Sequence, residues 1–225
     1  MWSRILRPEL KIDWCTYQAA KYAVENWHYS KRMPLFKQIY IGVWEEKKFI
    51  GCIIFGRSVT PYLQDIFNLK TTECIELTRI ALRKHIVPVT KMIKIAIGLL
   101  KKQSPGIRLV VSYADPNVGH LGRIYQGGNW IYMGRSSKVK QYYWRSSWRN
   151  DTPMFNYFKR NPGEKIKCKT RDLEPKYKYL YPLDREMRKQ IEPLRKPYPK
   201  CATSIDGDAT VIHTGKGGSS PTVAL

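Results

Sequence analysis

The fold can be predicted outward from the run Ile107-Arg108-Leu109-Val110-Val111, which is followed by Ser112-Tyr113-Ala114-Asp115-Pro116-Asn117-Val118-Gly119-His120. Its first part is apolar, rich in β-branched residues and free of turn residues, which predicts a buried strand over 107–112. Its second part is polar and begins where that strand ends. In an open α/β sheet the carboxyl ends of strands meet the amino ends of helices, and ligands bind there. We therefore expect a functional site directly after this strand.

The segments around this strand alternate between helix and strand patterns. The predicted helices are 14–26, 89–102 and 119–126, and the predicted strands are 39–44, 49–55, 76–82, 107–112 and 130–133. Glu45-Glu46-Lys47-Lys48 joins the first two strands as an antiparallel hairpin. This order predicts an α/β fold with a mixed central sheet flanked by helices.

The charge balance indicates the class of partner. Lys and Arg number 40 against 18 Asp and Glu, a formal net charge of +22 in 225 residues. Such an excess favours a polyanionic partner, nucleic acid first and an anionic membrane surface second. Apolar runs are too short for a membrane-spanning helix, and Met1–Pro8 lacks the apolar segment of a secretory signal. We expect an intracellular protein that does not span a membrane.

Composition also divides the chain. We predict a core-bearing domain over 1–158 and a basic extension over 159–200, laid on the domain or on DNA, with 14 Lys and Arg against six Asp and Glu. A short helix is predicted over 184–190. Residues 201–225 turn to Gly, Ser, Thr and Asp and are predicted to be disordered. The five cysteines form no close pair, so no CxxC metal site is indicated, and Cys52 and Cys74 are expected in the core.

The order of hairpin, central strand, helix and second strand resembles the GCN5-related acyltransferase fold. Enzymes of that fold usually carry a Gly-rich loop between the central strand and the helix, whose amides hold the pyrophosphate of coenzyme A. Here the connection Arg83-Lys84-His85-Ile86-Val87-Pro88-Val89-Thr90 has no Gly. Either the coenzyme A site is lost or it is rebuilt from Arg83 and Lys84.

Four blocks of sequence carry a closer resemblance. They are Trp27-His28-Tyr29-Ser30, Glu76-Leu77-Thr78-Arg79, Ser112–Pro116 with Gly119-His120 and Tyr125-Gln126, and Tyr179-Leu180-Tyr181-Pro182-Leu183. Together they resemble the phage Mom family of DNA modification proteins over about residues 25 to 200. The resemblance implies an acyltransferase-like fold and the conversion of adenine in phage DNA to an N6-carbamoylmethyl form. That modification protects the DNA from host restriction, which implies a phage-encoded protein acting in the host cytoplasm.

The implied reaction assigns roles to particular side chains. Adenine N6 is a weak nucleophile and needs a base or acceptor near it, for which Asp115 is the first candidate, although helix capping explains Asp-Pro-Asn equally well. His28 and Tyr29 can bind a metal, stack on the base or relay a proton, or they can simply anchor a loop. Arg79 can hold an anionic donor group or pair with an acid. Ser112 and Tyr125 can complete the pocket as hydroxyl donors.

A second group of residues suits contact with DNA. Basic and aromatic side chains alternate between 134 and 160, and cations neutralise phosphates while aromatic faces stack on bases. The residues selected are Arg135, Lys138, Lys140, Tyr142, Tyr143, Arg145 and Arg149. Aromatic residues at this density also pack inside a small core. Because N6 is inaccessible in a duplex, the expected partner is double-stranded DNA with a flipped adenine.

Two other function classes remain open at this stage. One is a coenzyme A-dependent N-acetyltransferase of a protein or small amine, against which the missing Gly-rich loop argues. The other is a nucleic-acid-binding protein without chemistry, against which the cluster around Asp115 argues. The donor is undetermined between acetyl-CoA, a glycine-derived donor and a metal-dependent radical route. Bound iron is suggested by the resemblance alone, with His28 and Tyr29 as ligands. The target sequence and the oligomeric state are also open.

Overall fold

Leu109–Ala114 form a buried strand in the computed structural model of the protein, which describes residues 8–57 and 61–200, so this strand begins and ends two residues later than the predicted 107–112. In this part of the chain the strands are β1 (Leu10–Trp14), β2 (Gln38–Glu45), β3 (Lys48–Arg57), β4 (Cys74–Leu82), β5 (Leu109–Ala114), β6 (Ile131–Arg135), β7 (Val139–Trp144), β8 (Ser147–Asn150), β9 (Lys169–Leu173) and β10 (Tyr177–Pro182). The α-helices are α1 (Tyr17–Trp27), α2 (Pro61–Ile66), α3 (Val89–Gln103), α4 (Arg123–Gly127), α5 (Asp151–Arg160), α6 (Pro162–Lys167) and α7 (Arg185–Ile191). The tail predicted over 201–225 lies outside the described residues.

Seven strands form one mixed sheet in the order β1-β2-β3-β4-β5-β10-β6. Neighbouring strands are antiparallel except for β4 and β5, which run parallel and are joined through α3. Alternate residues of β3 serve opposite faces: Ile53 and Phe55 belong to the core cluster that includes α3, whereas Cys52 and Ile54 pack with α1. The predicted α/β fold with helices on a mixed sheet is confirmed, as is the hairpin, strand, helix and strand order of the acyltransferase fold.

The start of the chain differs from the prediction. Trp14 was expected in the first helix but ends β1, which pairs along β2 from Leu10 to Trp14. The helix begins at Tyr17 because the hydroxyl of Thr16 accepts the Ala19 amide at 3.2 Å, which satisfies one of the free N–H groups of the first turn. The alternation in β1 is too short to be separated from helical spacing by pattern alone.

The segment after β5 also differs. A helix was predicted over 119–126, but the chain forms a 3₁₀ turn over Pro116–Val118 and then α4. Gly119 and Gly122 interrupt a longer helix because their φ angles are +76° and +77°. A Cβ at Gly122 would also lie 2.4 Å from the Tyr179 ring. The polar loop is therefore held in a shape that a continuous helix would not give.

Residues 159–200 contribute to the centre of the sheet. Strand β10 lies between β5 and β6 and is antiparallel to both. Tyr177, Tyr179 and Leu180 are buried there, so aromatic and apolar side chains of this basic segment complete the core. The short helix predicted over 184–190 is present as α7, capped by Asp184, which accepts the Met187 amide at 2.7 Å.

A second, smaller sheet holds the basic and aromatic residues. Its order is β8-β7-β9, all antiparallel, and we call it the basic-aromatic sheet. Tyr142 is buried in it against Phe158 of α5, with ring centroids 4.9 Å apart. Cys52 and Cys74 are buried in the main core, as predicted. Within residues 8–57 and 61–200, no helix combines the length and apolar character that crossing a membrane demands.

Candidate functional site

A cavity opens where β4 and β5 separate. Their parallel ladder joins Cys74–Leu77 to Leu109–Ser112 and then stops, although both strands continue. The resulting cavity has a volume of about 700 Å³, and we call it the splay cavity. Its walls come from β4, β5, the end of α1 and the loop before α4. Among the lining residues are His28, Tyr29, Arg79, Tyr113, His120 and Tyr125. The cavity lies directly after β5, where the sequence predicts a site.

A bulge in β4 helps to shape this cavity. Leu77 pairs with Phe55 and Arg79 pairs with Ile54, so Thr78 is an extra residue, and its hydroxyl donates to the Ile54 carbonyl at 3.0 Å. A bulge bends its strand and re-aims the side chains that follow it. Because Glu76 pairs with Gly56 and Arg79 with Ile54, Glu76 and Arg79 share the face of the sheet on which α1 packs.

Burial raises the pKa of Glu76 to about 7, against the opposing effect of Lys176 and Arg79. Its Oε2 atom is buried and accepts no hydrogen bond from the described residues. An orphaned carboxylate oxygen is costly and therefore notable. Sequence reasoning did not select Glu76 for a role. The available signal was a carboxylate between Ile75 and Leu77 in an otherwise apolar strand.

Arg79 is fixed at the cavity wall by backbone carbonyls. It donates through Nη1 to Thr78 at 2.7 Å and through Nε to Arg32 at 3.3 Å. Burial lowers the pKa of Arg79, and the nearby Tyr29 and Glu76 act in the opposite direction. A guanidinium held in this way offers its remaining donors to an anionic group in the cavity.

Three rings stand together at the mouth of the cavity. The His28 ring lies 4.3 Å from that of Tyr29, and the Tyr29 ring meets His120 edge-on at 5.3 Å between centroids. His28 is buried, with Nδ1 at 2.8 Å from the Ser30 hydroxyl. Burial, then the charges of Arg79, His120 and Lys31, lowers the pKa of His28 to about 4. The imidazole is therefore neutral at pH 7, while Tyr29 remains half exposed for contact with a ligand.

Ser112 and Tyr125 form a buried hydroxyl pair behind the rings. The Ser112 hydroxyl lies 2.7 Å from the Tyr125 hydroxyl and 2.9 Å from the Leu77 carbonyl. A hydroxyl carries one proton, so when Ser112 donates to Leu77 the Tyr125 hydroxyl donates to Ser112. Burial raises the pKa of Tyr125 to about 12. The phenol is therefore protonated at pH 7. It takes part in a proton transfer only as a neutral hydroxyl that donates one hydrogen bond and accepts another.

Asp115 lies at the edge of the site and is held by several donors. Its carboxylate accepts the Asn117 amide at 3.0 Å and the Lys176 ammonium at 3.0 Å. Burial alone would raise its pKa, but the hydrogen bonds from Asn117 and Lys176 outweigh burial and lower it. The capping alternative for Asp-Pro-Asn is thus present in the structure, together with an ion pair to Lys176.

The β4–α3 loop does not fit a pyrophosphate. The amides of Ile86 and Val87 donate to the Glu45 carboxylate at 2.8–3.0 Å, and Glu45 is only 8% exposed. The backbone donors that would hold a phosphate group are therefore occupied by a carboxylate of the protein itself. Arg83 and Lys84 are exposed and are not among the residues that line the splay cavity in the described part of the chain.

The side chains that could bind a metal do not gather at one place in the described part of the chain. Among residues 8–57 and 61–200, no three His, Cys, Asp or Glu side chains converge as a metal site. His28 and Tyr29 are adjacent, but the Nδ1 atom of His28 already bonds to Ser30.

Most of the residues predicted to contact DNA are exposed, in contrast to those of the splay cavity. Arg145 and Ser146 form the tip of the β7–β8 hairpin with φ angles of +47° and +61°. The Arg145 guanidinium lies 4.1 Å from the Trp144 ring centroid, and that of Arg149 lies 5.5 Å from it. Arg145, Arg149, Lys138, Lys140 and Tyr143 are exposed. Arg135 instead bonds to Glu174 at 2.7 Å and stacks on Tyr177, and the ring of Tyr142 is buried.

Comparison with known proteins supplies independent information. A family model described as the Mom protein family matches residues 9–200. The chain is 24% identical over 205 residues to the "Methylcarbamoylase mom" of Escherichia phage Mu, covering 85% of this chain and 84% of that protein. Among solved structures it is similar to FeeM, an N-acyl amino acid synthase from uncultured soil microbes (TM-score 0.49, 9% identity, 83% of this chain and 96% of that one). It is also similar to a putative acetyltransferase from Acinetobacter baylyi ADP1 (TM-score 0.43, 12% identity, 82% and 96%).

Proposed function

Because this chain belongs to the Mom protein family, whose model matches residues 9–200, we propose that it is a phage DNA-modifying transferase. The proposed reaction places a carbamoylmethyl group on N6 of adenine in double-stranded DNA. The modified DNA resists host restriction nucleases, and the reaction takes place in the host cytoplasm, where phage DNA is exposed to them.

The observation that carries this proposal is the splay cavity. Its volume of about 700 Å³ is in the range of small-molecule sites, so it can hold a nucleobase together with a small donor group. A duplex cannot present N6 to such a cavity, so the adenine enters it after rotating out of the helix. Tyr29, which is 50% exposed at the cavity mouth, offers a ring face for stacking on that base.

Glu76 is proposed as the proton acceptor. In the reaction a bond forms between N6 and the carbon of the donor, the bond to the leaving group breaks, and N6 loses a proton. A carboxylate with a pKa near 7 and a free oxygen suits a general base at neutral pH. Asp115, first selected from the sequence, is proposed as a positioning residue because its oxygens are engaged by Asn117 and Lys176.

The neutral groups around the cavity have complementary proposed roles. His28, uncharged at pH 7, orients Tyr29 and accepts or donates one hydrogen bond without attracting the base as an ion would. The Ser112 and Tyr125 hydroxyls relay a proton away from the reaction centre. Arg79 holds the anionic part of a small donor such as a glycine-derived compound.

The basic-aromatic sheet is proposed to hold the DNA backbone. Its exposed cations neutralise phosphates, and the net charge of +22 attracts a polyanion over a long range. A coenzyme A-dependent acetyltransferase is the weaker alternative because Glu45 occupies the loop amides. A non-catalytic binding protein has no use for the orphaned carboxylate of Glu76.

The experiment that tests the proposal is mass spectrometry of nucleosides from plasmid DNA. Cells expressing the wild-type chain should contain an adenosine derivative heavier by one carbamoylmethyl group, and cells expressing Glu76→Gln should lack it. An Asp115→Ala variant should also lose the modification if Asp115 positions Lys176. Plasmid without any modified nucleoside in wild-type cells would refute the proposed function.

A further inference from the structure

The loop between α1 and β2, residues 28–37, carries one side chain that the site described above does not use. Leu35 is 101% exposed, the largest exposure among the large hydrophobic residues of the described chain. A leucine side chain that is fully exposed to water raises the free energy of the protein by roughly the free energy of transferring that side chain from an apolar environment to water. Isolated exposed leucines are common, so the surroundings of Leu35 decide whether it has a role.

The loop is fixed on both sides of Leu35. Gln38 donates through Nε2 to the carbonyls of Pro34 at 2.6 Å and Phe36 at 2.9 Å. The ring of Phe36 fills the space above Gly56, where a Cβ would lie 2.5 Å from it. Turning Leu35 toward the core would break these contacts. The backbone of the loop therefore holds its side chain toward solvent.

The same loop forms part of the rim of the splay cavity. Its first residues, His28 and Tyr29, line that cavity, and Arg79 of the cavity wall donates to the carbonyl of Arg32. A Cβ at Gly56 would also lie 3.4 Å from Thr78, another lining residue, which places Phe36 beside the cavity wall. Leu35 thus projects from an anchored loop whose other residues line the splay cavity or contact its wall.

Cations surround this apolar tip. Lys31, Arg32 and Lys37 are exposed on the loop, and no acidic residue occurs between positions 28 and 44. A loop whose cations flank an apolar side chain matches the chemistry of a DNA duplex, which has an anionic backbone and apolar stacked bases. Proteins that kink or open a duplex insert single apolar side chains between base steps in this way.

We propose that Leu35 is a wedge that enters the base stack of the duplex. Its side chain fills the gap that the adenine leaves in the stack when that base moves into the splay cavity. This inference rests on the proposed function, because it needs a duplex substrate and a flipped base. Insertion gives the side chain an apolar environment and prevents the displaced base from returning, so it lowers the cost of the flipped state. The cations of the loop bind the flanking phosphates and set the depth of insertion.

The wedge can be tested without the donor. Duplexes carry 2-aminopurine, whose fluorescence rises on unstacking, in place of one adenine in every nearest-neighbour context. The wild-type protein should raise the fluorescence in at least one context, and Leu35→Ala should reduce the flipped fraction by about tenfold, since extrusion costs unstacking energy. Leu35→Phe should restore flipping. Affinity at low salt should hardly change, because all cations remain.

Leu194→Ala is the matched control, since Leu194 is 42% exposed and lies outside the loop. It should leave the fluorescence rise unchanged. Flipping by Leu35→Ala equal to that of the wild type would overturn the wedge, and so would the absence of flipping by the wild type in every context. A change in the oligomeric state of Leu35→Ala with normal flipping would assign Leu35 to a protein interface instead and overturn it as well.

The outcomes also separate the wedge from the proposed function. Flipping that depends on Leu35 in a protein that leaves plasmid DNA unmodified would support the wedge and refute the transferase. Modification of plasmid DNA that is as frequent in Leu35→Ala as in the wild type would support the transferase and refute the wedge.

Discussion

The splay cavity and the basic-aromatic sheet use charged side chains in opposite ways. At the splay cavity, burial lowers the pKa of His28, and Arg79 is tied to backbone carbonyls. Burial also raises the pKa of Glu76, which precedes the lining residue Leu77 in β4. On the basic-aromatic sheet Arg145 and Arg149 lie on the face of Trp144 and remain exposed to solvent. Desolvation changes the proton affinity of a group, whereas exposure leaves its charge available to a distant polyanion. This difference is the basis for the proposal that the first region carries the chemistry and the second contacts DNA.

Neutralising Glu76 is expected to have a large effect on the chemistry and none on DNA binding. Glu76→Gln should lower modification by about 10²–10⁴-fold, the usual contribution of a general base, while DNA affinity is unchanged. Modification of added plasmid in lysates of expressing cells, which supply the donor, measures this. In the wild type, modification should rise with pH around a midpoint near 7, because the carboxyl must lose its proton. Glu186→Gln, at an exposed position of α7, serves as the control and should keep that midpoint.

Removing the cations of the basic-aromatic sheet should affect binding rather than chemistry. Arg145→Ala with Arg149→Ala should lower DNA affinity by about tenfold or more and reduce the salt slope by roughly 2, one unit for each phosphate contact. Fluorescence anisotropy over a series of salt concentrations measures both quantities. Lys91→Ala with Lys94→Ala removes the same charge from the exposed side of α3 and should have a smaller effect. Equal effects of the two double variants would place the DNA elsewhere.

Replacing one serine in each region compares the contribution of a buried hydrogen bond to stability with that of a part-buried one. Ser112→Ala removes the partner of the buried Tyr125 hydroxyl and should lower the free energy of unfolding by about 1–3 kcal/mol. Ser147→Ala in the basic-aromatic sheet removes a long hydrogen bond, 3.4 Å to the Trp144 carbonyl, and should cost much less. Urea denaturation measures both. A small loss for Ser112→Ala would mean that water replaces the missing hydroxyl.

The smallest expected effect concerns pH. The pKa of His28 is about 4 in the folded state and 6.5 ordinarily, so its contribution to stability is present above pH 6.5 and is lost as pH falls toward 4. Glu76 acts in the opposite sense: the stability that its raised pKa confers is present below 4.5 and is lost as pH rises through 7. Between about pH 7.5 and pH 6 the loss due to His28 is about 1 kcal/mol, and His28→Gln should remove it, as urea denaturation at the two pH values measures. An unchanged profile would show that His28 is solvated.

The sequence alone located much of this molecule. The apolar run before Ser112 predicted β5, and the polar residues behind it predicted the site that the splay cavity occupies. His28, Tyr29, Arg79 and Tyr125 were selected from separate blocks and all line that cavity. The strand could be predicted because strand periodicity is a local property, and the cavity follows it because ligand sites form at the carboxyl ends of strands in α/β sheets.

The tertiary structure decided what depends on contacts between distant segments. The bulge at Thr78 puts Glu76 and Arg79 on one face, and it is visible only in the register of β4 against β3. Glu45 reaches the amides of Ile86 and Val87 across 41 and 42 residues, and β10 joins the sheet from the basic segment after residue 158. Local patterns fix which residues form a strand, but strand order, register and the desolvation of a carboxylate arise only when the core closes.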